Sequence, residues 1–99
     1  MLSQLIEVVT PRPEGENRFI GRNMHPGAIR VYGGQVLAQA VGAAVATVSE
    51  DRVIHSQHAY FLRPGDPRTP IVFEVERARD GGSFSSRRVV ALQHGKAIL

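Results

Sequence analysis

The hydrophobic pattern is most distinctive in residues 32–48, where a pair of glycines is followed by an almost unbroken apolar run. Apolar residues fall on every side of a helical projection of this run, and Gln35 and Gln39 are its main polar exceptions. A helix of this length would extend roughly 24 Å, about the width of a small domain. Because such a helix has no clearly solvated face, we expect other elements to cover it on more than one side.

The segments that remain to cover the helix have the composition of β-strands. Residues 71–79 alternate apolar and polar side chains, which is typical of a half-buried strand. Residues 52–63 are rich in β-branched and aromatic side chains and are predicted to form a long strand. Further strands are predicted at 16–22 and 83–93, with a glycine-rich hairpin turn at 80–82. The sequence therefore predicts an α+β fold in which a curved sheet wraps around one long central helix.

Shorter segments complete the chain. Residues 2–9 suit a short helix or an edge strand, and their length leaves both open. Prolines and glycines predict turns at 10–15 and 64–70. Residues 97–99 begin another apolar strand, and a strand of this length would leave a sheet edge unpaired. We therefore expect residues 1–99 to be a single domain of a longer chain, with its last strand truncated.

Composition and charge argue against several classes of function. The chain has no cysteine, so it offers neither a disulfide framework nor a thiolate nucleophile. No run approaches the ~20 apolar residues of a membrane span. The net charge of +3 is carried by arginines rather than lysines, but no basic stripe with interleaved aromatics follows the chain, so no nucleic-acid partner is expected. The serines near residue 85 lack the Gly-x-Ser-x-Gly context of a serine hydrolase.

Several separate motifs stand in order along the chain. They are Val31-Tyr32-Gly33-Gly34-Gln35-Val36, Ala38-Gln39-Ala40, the run from His55 to Asp66, Arg79-Asp80-Gly81 and Gln93-His94-Gly95-Lys96. Any one of them alone would be a weak signal. Together they resemble the amino-terminal half of the acyl-CoA thioesterase II family, and the similarity runs from about residue 5 to the end.

The resemblance implies a double-hotdog protein, in which two tandem domains each fold a curved antiparallel sheet around one long helix. It implies hydrolysis of medium- to long-chain fatty acyl-CoA to free fatty acid and CoA by an activated water, without a metal, a cofactor or an acyl-enzyme. The expected partners are the acyl-CoA substrate and a second hotdog, from the same protein or from another copy, in a homo-oligomer. The expected location is cytoplasmic, or peroxisomal in a eukaryote.

The catalytic set that the resemblance implies is incomplete in this half. In the family, an Asp, a Thr or Ser, and a Gln that orient the attacking water lie in the second hotdog. With the two halves aligned as a repeat, Gln93 falls where that Gln lies, whereas Ile54 falls near the hydroxyl position and cannot hold a water. His55 matches a position that has been considered part of the site, and histidine can act as a base near neutral pH. Gln93 and His55 are the catalytic candidates, and a strand histidine bonded to backbone is the alternative for His55.

Eight further residues are candidates for binding the substrate, and structural alternatives stand beside them. They are Tyr32, Gly33, Gly34, Gln35, Gln39, His58, Arg87 and Arg88. The glycines expose N–H groups to a carbonyl oxygen at the helix start, or only let the helix pass close to the sheet. The glutamines share one helix face and address a ligand or pair with strand backbone. The arginines bind CoA phosphates or lie on a solvated face.

His55 and His58, three apart on a predicted strand, would point to opposite faces, so we expect no metal site there.

The function of the chain alone is open. The chain alone is either a catalytic half or a non-catalytic half that binds acyl-CoA and mediates pairing. An unrelated small basic interaction domain is the further alternative, and its binding would depend strongly on salt.

Overall fold

The computed structural model describes residues 2–99 and consists of an antiparallel sheet packed against one long helix. The elements, in chain order, are helix α1 (Leu2–Val9), strands β1 (Arg12–Pro13) and β2 (Arg18–Gly21), helix α2 (Gly33–Ala46) and strands β3 (Ile71–Asp80), β4 (Ser85–Gln93) and β5 (Lys96–Ala97). Neighbouring strands pair antiparallel in the order β1-β2-β3-β4-β5. The predicted α+β architecture of a sheet and a long central helix is confirmed.

The core lies between the inner face of the sheet and one side of α2. Along β3, Ile71 and Phe73 are fully buried and Val75 is nearly so, as the alternation of this segment predicts. On α2, the small side chains of Ala40 and Ala43 are buried against the same core and allow the helix to approach the strands closely. Burial of a side chain as large as Phe73 contributes about 1.5–3 kcal/mol to stability.

Helix α2 is covered fully on one side and only partly on the other. Leu37, Val41 and Ala44 are half-buried, and Val45 keeps 52% of its surface exposed. The expectation that other elements cover the helix on more than one side is confirmed, because α1 contacts it at Gln39 and Gly42 in addition to the sheet. The less covered side borders an open cleft, described below.

Helix α1 resolves the alternative left open for residues 2–9. It approaches α2 at Gly42, where an added Cβ would overlap the Val9 carbonyl oxygen and lie 3.0 Å from Pro11 Cδ. Only a residue without a side chain fits this crossing. Neither helix of residues 2–99 combines the length and hydropathy that a membrane crossing requires.

The prediction of a strand at residues 52–63 is wrong. Residues 53–62 lie outside any strand, and their backbone joins the sheet only near one end, where the Leu62 and Arg63 N–H groups donate to the Ile98 carbonyl oxygen at 3.0 and 3.4 Å. The prediction rested on β propensity. Propensity describes how well side chains fit the surface of a sheet, but it does not show that a neighbouring strand is present to pair with. Within residues 2–99, β5 covers Lys96–Ala97 and no strand pairs with residues 53–61.

The turn predicted at 10–15 contains a short strand. Arg12 and Pro13 pair with Ile20 and Phe19 at the edge of the sheet. Proline is tolerated there because an edge strand leaves one row of backbone groups without a ladder partner.

The crossing of α1 and α2 can be tested with Gly42→Ala. The added methyl must displace backbone at Val9 rather than a flexible side chain, so we expect a loss of about 1–3 kcal/mol in the free energy of unfolding. Urea denaturation followed by circular dichroism measures this loss. Gly15→Ala is the matched control, because a Cβ there meets nothing within 4 Å and its effect should stay within about 0.5 kcal/mol. Equal effects of the two substitutions would contradict the close approach.

Candidate functional site

An open cleft of about 510 Å³ lies between α2, segment 51–59 and β4, and we call it the α2–β4 cleft. Its floor is apolar and is formed by Leu37, Val41 and Ala44 of the helix. Polar side chains stand along its walls, among them the candidates His55, His58 and Arg87, together with three serines of the β3–β4 hairpin region, Ser83, Ser85 and Ser86. This is the place where the structure brings several predicted site residues together.

Both histidine candidates belong to segment 51–59, which borders this cleft. The His55 ring packs edge-on against Phe84 with a centroid distance of 5.7 Å, and the His58 ring packs against Tyr60 at 4.8 Å. Both histidines are exposed.

Arg87 joins the end of α2 to the β3–β4 hairpin. Its Nε donates to Thr47 Oγ1 at 2.7 Å, and Nη2 donates to the Thr47 carbonyl oxygen and to Asp80 Oδ1 at 2.9 and 2.8 Å. Its Nη1 donates to the carbonyl oxygens of Arg79 and Ser86. All five N–H groups of a guanidinium are thereby engaged, and the side chain is only 5% exposed. A cation at the carboxyl end of a helix also complements its dipole.

The neighbouring arginines have different surroundings. Arg88, next to Arg87 on β4, is 73% exposed on the opposite face of the sheet, with Nη1 3.8 Å from Glu76 Oε1. Arg52 donates to the carbonyl oxygens of Gly81 and Gly82 at 2.6 and 2.9 Å and to Ser85 Oγ at 2.8 Å. The two binding candidates Arg87 and Arg88 thus do not act on one ligand together, and Arg52 fastens the cleft wall to the hairpin turn.

The two helix glutamines lie in a shared network of buried amides. Gln39 is fully buried, and its Nε2 donates to the carbonyl oxygens of Val8 and Arg22 at 2.9 and 2.8 Å. Its Oε1 accepts from Gln35 Nε2 at 3.2 Å, and Gln35 also donates to Asn23 Oδ1 at 3.1 Å. Both side chains thus have partners within the chain. Of the two alternatives left open, the pairing with backbone is the one that Gln39 adopts.

Gln93 continues this network on β4. Its Oε1 accepts from the Asp66 N–H at 2.7 Å, and its Nε2 donates to the carbonyl oxygens of Asp66 and Thr69, both at 2.8 Å. Asn23 Nδ2 donates to the same Thr69 carbonyl oxygen at 2.7 Å. Gln93 is buried and holds the 66–69 loop, and it does not line the α2–β4 cleft with His55.

The carboxylate of Asp66 is held in its charged form by several donors. A hydrogen bond from the Arg68 backbone N–H, then bonds from the Arg68 and His94 side chains, keep the pKa of Asp66 well below its usual 3.8. The Arg68 N–H lies 2.9 Å from Oδ1, and His94 Nε2 lies 3.2 Å from Oδ2. This carboxylate folds the loop back on itself at the surface.

The helix start is crowded by aromatic rings. Tyr32 precedes α2, is 77% exposed, and makes no side-chain capping bond. A Cβ on Gly34 would lie 2.7 Å from Tyr32 Cζ, and one on Gly33 would lie 3.1 Å from Phe61 Cε1. The rings pack on the glycine positions themselves, so both glycines allow this close packing.

Sequence reasoning missed three residues that organise this region, namely Asn23, Arg52 and Asp66. Asp66 follows Pro64-Gly65, and a short carboxylate in such a run is a known turn former, so its signal was available. Asn23 and Arg52 carry no local signal, because their partners lie 46 and 29 residues away along the chain.

Comparison with known proteins gives consistent matches. Residues 20–99 match a family model described as the acyl-CoA thioesterase N-terminal domain. Over 91 residues the chain is 50% identical to acyl-coenzyme A thioesterase 8 of Homo sapiens, and the aligned region covers 92% of this chain and 28% of the relative. Over 98 residues it is 43% identical to acyl-CoA thioesterase 2 of Haemophilus influenzae, and the aligned region covers 99% of this chain and 34% of the relative.

A solved structure shows the same fold. The tesB protein of Mycobacterium avium subs paratuberculosis superimposes with a TM-score of 0.91 at 40% sequence identity, covering 99% of this chain and 40% of that protein. The chain thus spans about a third of the length of the proteins it matches. The comparison assigns the sheet and the long central helix to the hotdog fold, as the sequence predicts.

The contribution of Arg87 can be measured with Arg87→Lys. Lysine keeps the charge but cannot reproduce the forked bonds to Thr47 and Asp80, so we expect a loss of about 1–3 kcal/mol in the free energy of unfolding. Urea denaturation provides the measurement. Arg88→Lys on the same strand is the matched control and should change stability by less than about 0.5 kcal/mol. If both substitutions cost the same, the bonds of Arg87 are not what anchors the helix end.

We expect the Asp66 carboxylate to make the stability of the domain fall in acid. A carboxyl whose pKa is lowered in the folded state stabilises it above the unfolded pKa of about 4, and this contribution fades as the pH falls through the folded pKa. Between pH 5 and pH 2 the Tm of Asp66→Asn should therefore fall less than that of the wild type. Glu76→Gln, which removes an exposed carboxyl near Arg88, should follow the wild-type profile. Parallel profiles for Asp66→Asn and wild type would refute the assignment.

Proposed function

The chain belongs to the acyl-CoA thioesterase family, as its amino-terminal hotdog domain, and we propose that it serves as one half of an enzyme that hydrolyses fatty acyl-CoA. In this reaction a water oxygen attacks the thioester carbonyl carbon and the carbon–sulfur bond breaks. The fatty acid and the free thiol of CoA are released, with a proton from the water on the sulfur. The proposed substrates carry medium- to long-chain acyl groups.

The observation that carries this proposal is the match of residues 20–99 to the amino-terminal domain of the family. The superposition on a tesB protein supports it, because most of the chain follows one continuous hotdog framework. The proteins matched are about three times as long as this chain, which supports a division of the active enzyme between this domain and another.

We assign the activation of water to the second hotdog, and binding and pairing to this one. Among the candidates in this half, Gln93 and Gln39 are committed to backbone partners and Arg87 to the end of α2. His55 and His58 are the candidates that remain exposed in the cleft, and His55 is the one we propose to contact the substrate. A scaffold role for the glutamines accounts for their burial.

Pairing with a second hotdog is proposed to involve the segment that ends at Arg63. Tyr60, Phe61 and Leu62 are 71%, 59% and 57% exposed, an apolar surface that favours association. The partner is the second hotdog of the same protein or another copy of the chain, in a homo-oligomer. Exclusion of these side chains from water would stabilise the pair.

The experiment measures release of free thiol from palmitoyl-CoA. The chain is assayed alone and after addition of the carboxyl-terminal remainder of the Haemophilus influenzae relative. We expect turnover only in the mixture. His55→Gln should lower the rate of the mixture, whereas His94→Gln, which lies outside the cleft, should leave that rate unchanged. Turnover by the chain alone would move the chemistry into this half, and no turnover in a mixture shown to form a complex would refute the proposal.

A second candidate, binding of acyl-CoA without turnover in any assembly, is favoured by the internal commitment of Gln93. Titration calorimetry with a thioether analogue of palmitoyl-CoA separates the two. Binding by the mixture without thiol release from palmitoyl-CoA would support the second candidate.

A further inference from the structure

A second cavity opens at the surface beside the start of α2, and within residues 2–99 it shares no lining residue with the α2–β4 cleft. It has a volume of about 540 Å³ and is lined by residues 28–30 and 64–68. The Val31 N–H donates to the Gly65 carbonyl oxygen at 3.0 Å and so joins these two segments next to the first turn of α2. We call residues 28–30 and 63–68, which include Arg63 beside the cavity, the basic corner.

The basic corner carries most of the net charge of the chain. It holds three arginines and one carboxylate, whereas the whole chain holds 12 Lys or Arg and 9 Asp or Glu side chains. Two of the three net positive charges of the chain therefore lie in these nine residues. A concentration of one sign of charge around a concave surface raises the local concentration of ligands of the opposite sign. The basic corner is thus suited to an anion.

Arg68 is a cation whose position in the basic corner is fixed. Its backbone N–H and its Nε both donate to Asp66 Oδ1, at 2.9 and 3.1 Å. Asp66 is itself held, because its N–H and its carbonyl oxygen bond to the buried Gln93 side chain. The two Nη groups of Arg68 make no hydrogen bond within residues 2–99, and the side chain is 82% exposed. A guanidinium held through Nε still presents these two groups, and such a fork matches the oxygens of a phosphate.

Arg30 contributes a second guanidinium to the lining of the cavity. It is exposed, and within residues 2–99 it makes no hydrogen bond and no ion pair. The one carboxylate of the basic corner does not neutralise it, because Asp66 Oδ1 accepts from Arg68 and Oδ2 lies 3.2 Å from His94 Nε2. An anion in the cavity would therefore find one cation without a counter-charge and, on Arg68, a second with free donors.

The size and the apolar part of the lining favour a nucleotide over a small inorganic anion. A volume of about 540 Å³ lies in the range of sites that enclose small organic ligands, roughly 300–1,000 Å³. Ile29 is 94% exposed at the cavity, and Pro64 and Pro67 line it too. Apolar surface of this kind gains from being covered by the flat face of a base. A nucleotide combines such a base with phosphates that the arginines can bind.

We propose that the basic corner binds the nucleotide portion of CoA. The phosphate oxygens accept hydrogen bonds from the guanidinium groups of Arg30 and Arg68, and the base lies against Ile29. This inference rests on the proposed function, because it takes acyl-CoA as the substrate. It assigns to this domain the recognition of the part of the substrate that is common to all acyl chain lengths.

Free CoA, which has no thioester bond, separates binding from hydrolysis in the test. Titration calorimetry measures its Kd for the chain, and NMR follows the Nε–H signals of Arg30 and Arg68. We expect both signals to shift on binding, and we expect Arg30→Gln and Arg68→Gln each to raise the Kd at least about fivefold. Arg12→Gln, which removes an exposed arginine from the edge strand β1, is the matched control and should change the Kd less than about twofold.

Four results would overturn the proposal. Three of them are no binding of CoA, variants at Arg30 and Arg68 that bind as tightly as the wild type, and equal Kd values for CoA and inorganic phosphate. The fourth is an oligouridylate that binds more tightly than CoA and shifts the same two signals, which would assign the basic corner to RNA.

The outcome is separable from that of the hydrolysis assay. If the mixture with the carboxyl-terminal remainder hydrolyses palmitoyl-CoA while both variants bind CoA as the wild type does, the site is refuted and the proposed function stands. If CoA binds as expected and the mixture shows no turnover, the site stands and hydrolysis is refuted.

Discussion

The amide of Gln39 is the interaction on which the arrangement of this domain depends. It is fully buried at the centre of α2, so each of its polar atoms must find a partner inside the protein or cost about 1–3 kcal/mol. The partners come from α1, from the residue after β2 and from Gln35, and through Asn23 and the 66–69 loop the network reaches Gln93 on β4. The position of the helix against the sheet is therefore specified by directional bonds as well as by apolar packing.

The parts of the fold that could be predicted from the sequence are those fixed by local pattern. The apolar run of α2 and the alternation of β3 each carry their own signal, and both were found within a few residues of the predicted bounds. Segment 52–63 has equally strong β propensity, yet it is not a strand, because a strand also needs a neighbour that its own composition cannot provide. The same limit applies to the site, since the partners of Arg87 and Gln93 depend on residues distant in the chain.

The polar residues of this half divide into two groups by burial. Gln39, Gln93 and Arg87 are buried and bonded to the protein itself, whereas His55 and His58 remain exposed in the cleft. Hydrolysis of a thioester needs a held water and donors aimed at a developing oxyanion, and a group that is fully bonded within the scaffold supplies neither. Gln39, Gln93 and Arg87 thus hold the shape of the domain through bonds to its own backbone and side chains.

The bonds between Arg87 and Thr47 have a consequence for the lifetime of the folded state. They join residues 40 apart in the chain, whereas the β3–β4 hairpin closes through a short turn and can form on its own. We expect the hairpin to form first and the arginine bonds to be completed after the main barrier to folding. Contacts made after that barrier slow unfolding without accelerating folding, an effect that the unfolding limb of a chevron plot would measure. We therefore expect Arg87 to lengthen the lifetime of the folded domain without changing how fast it folds.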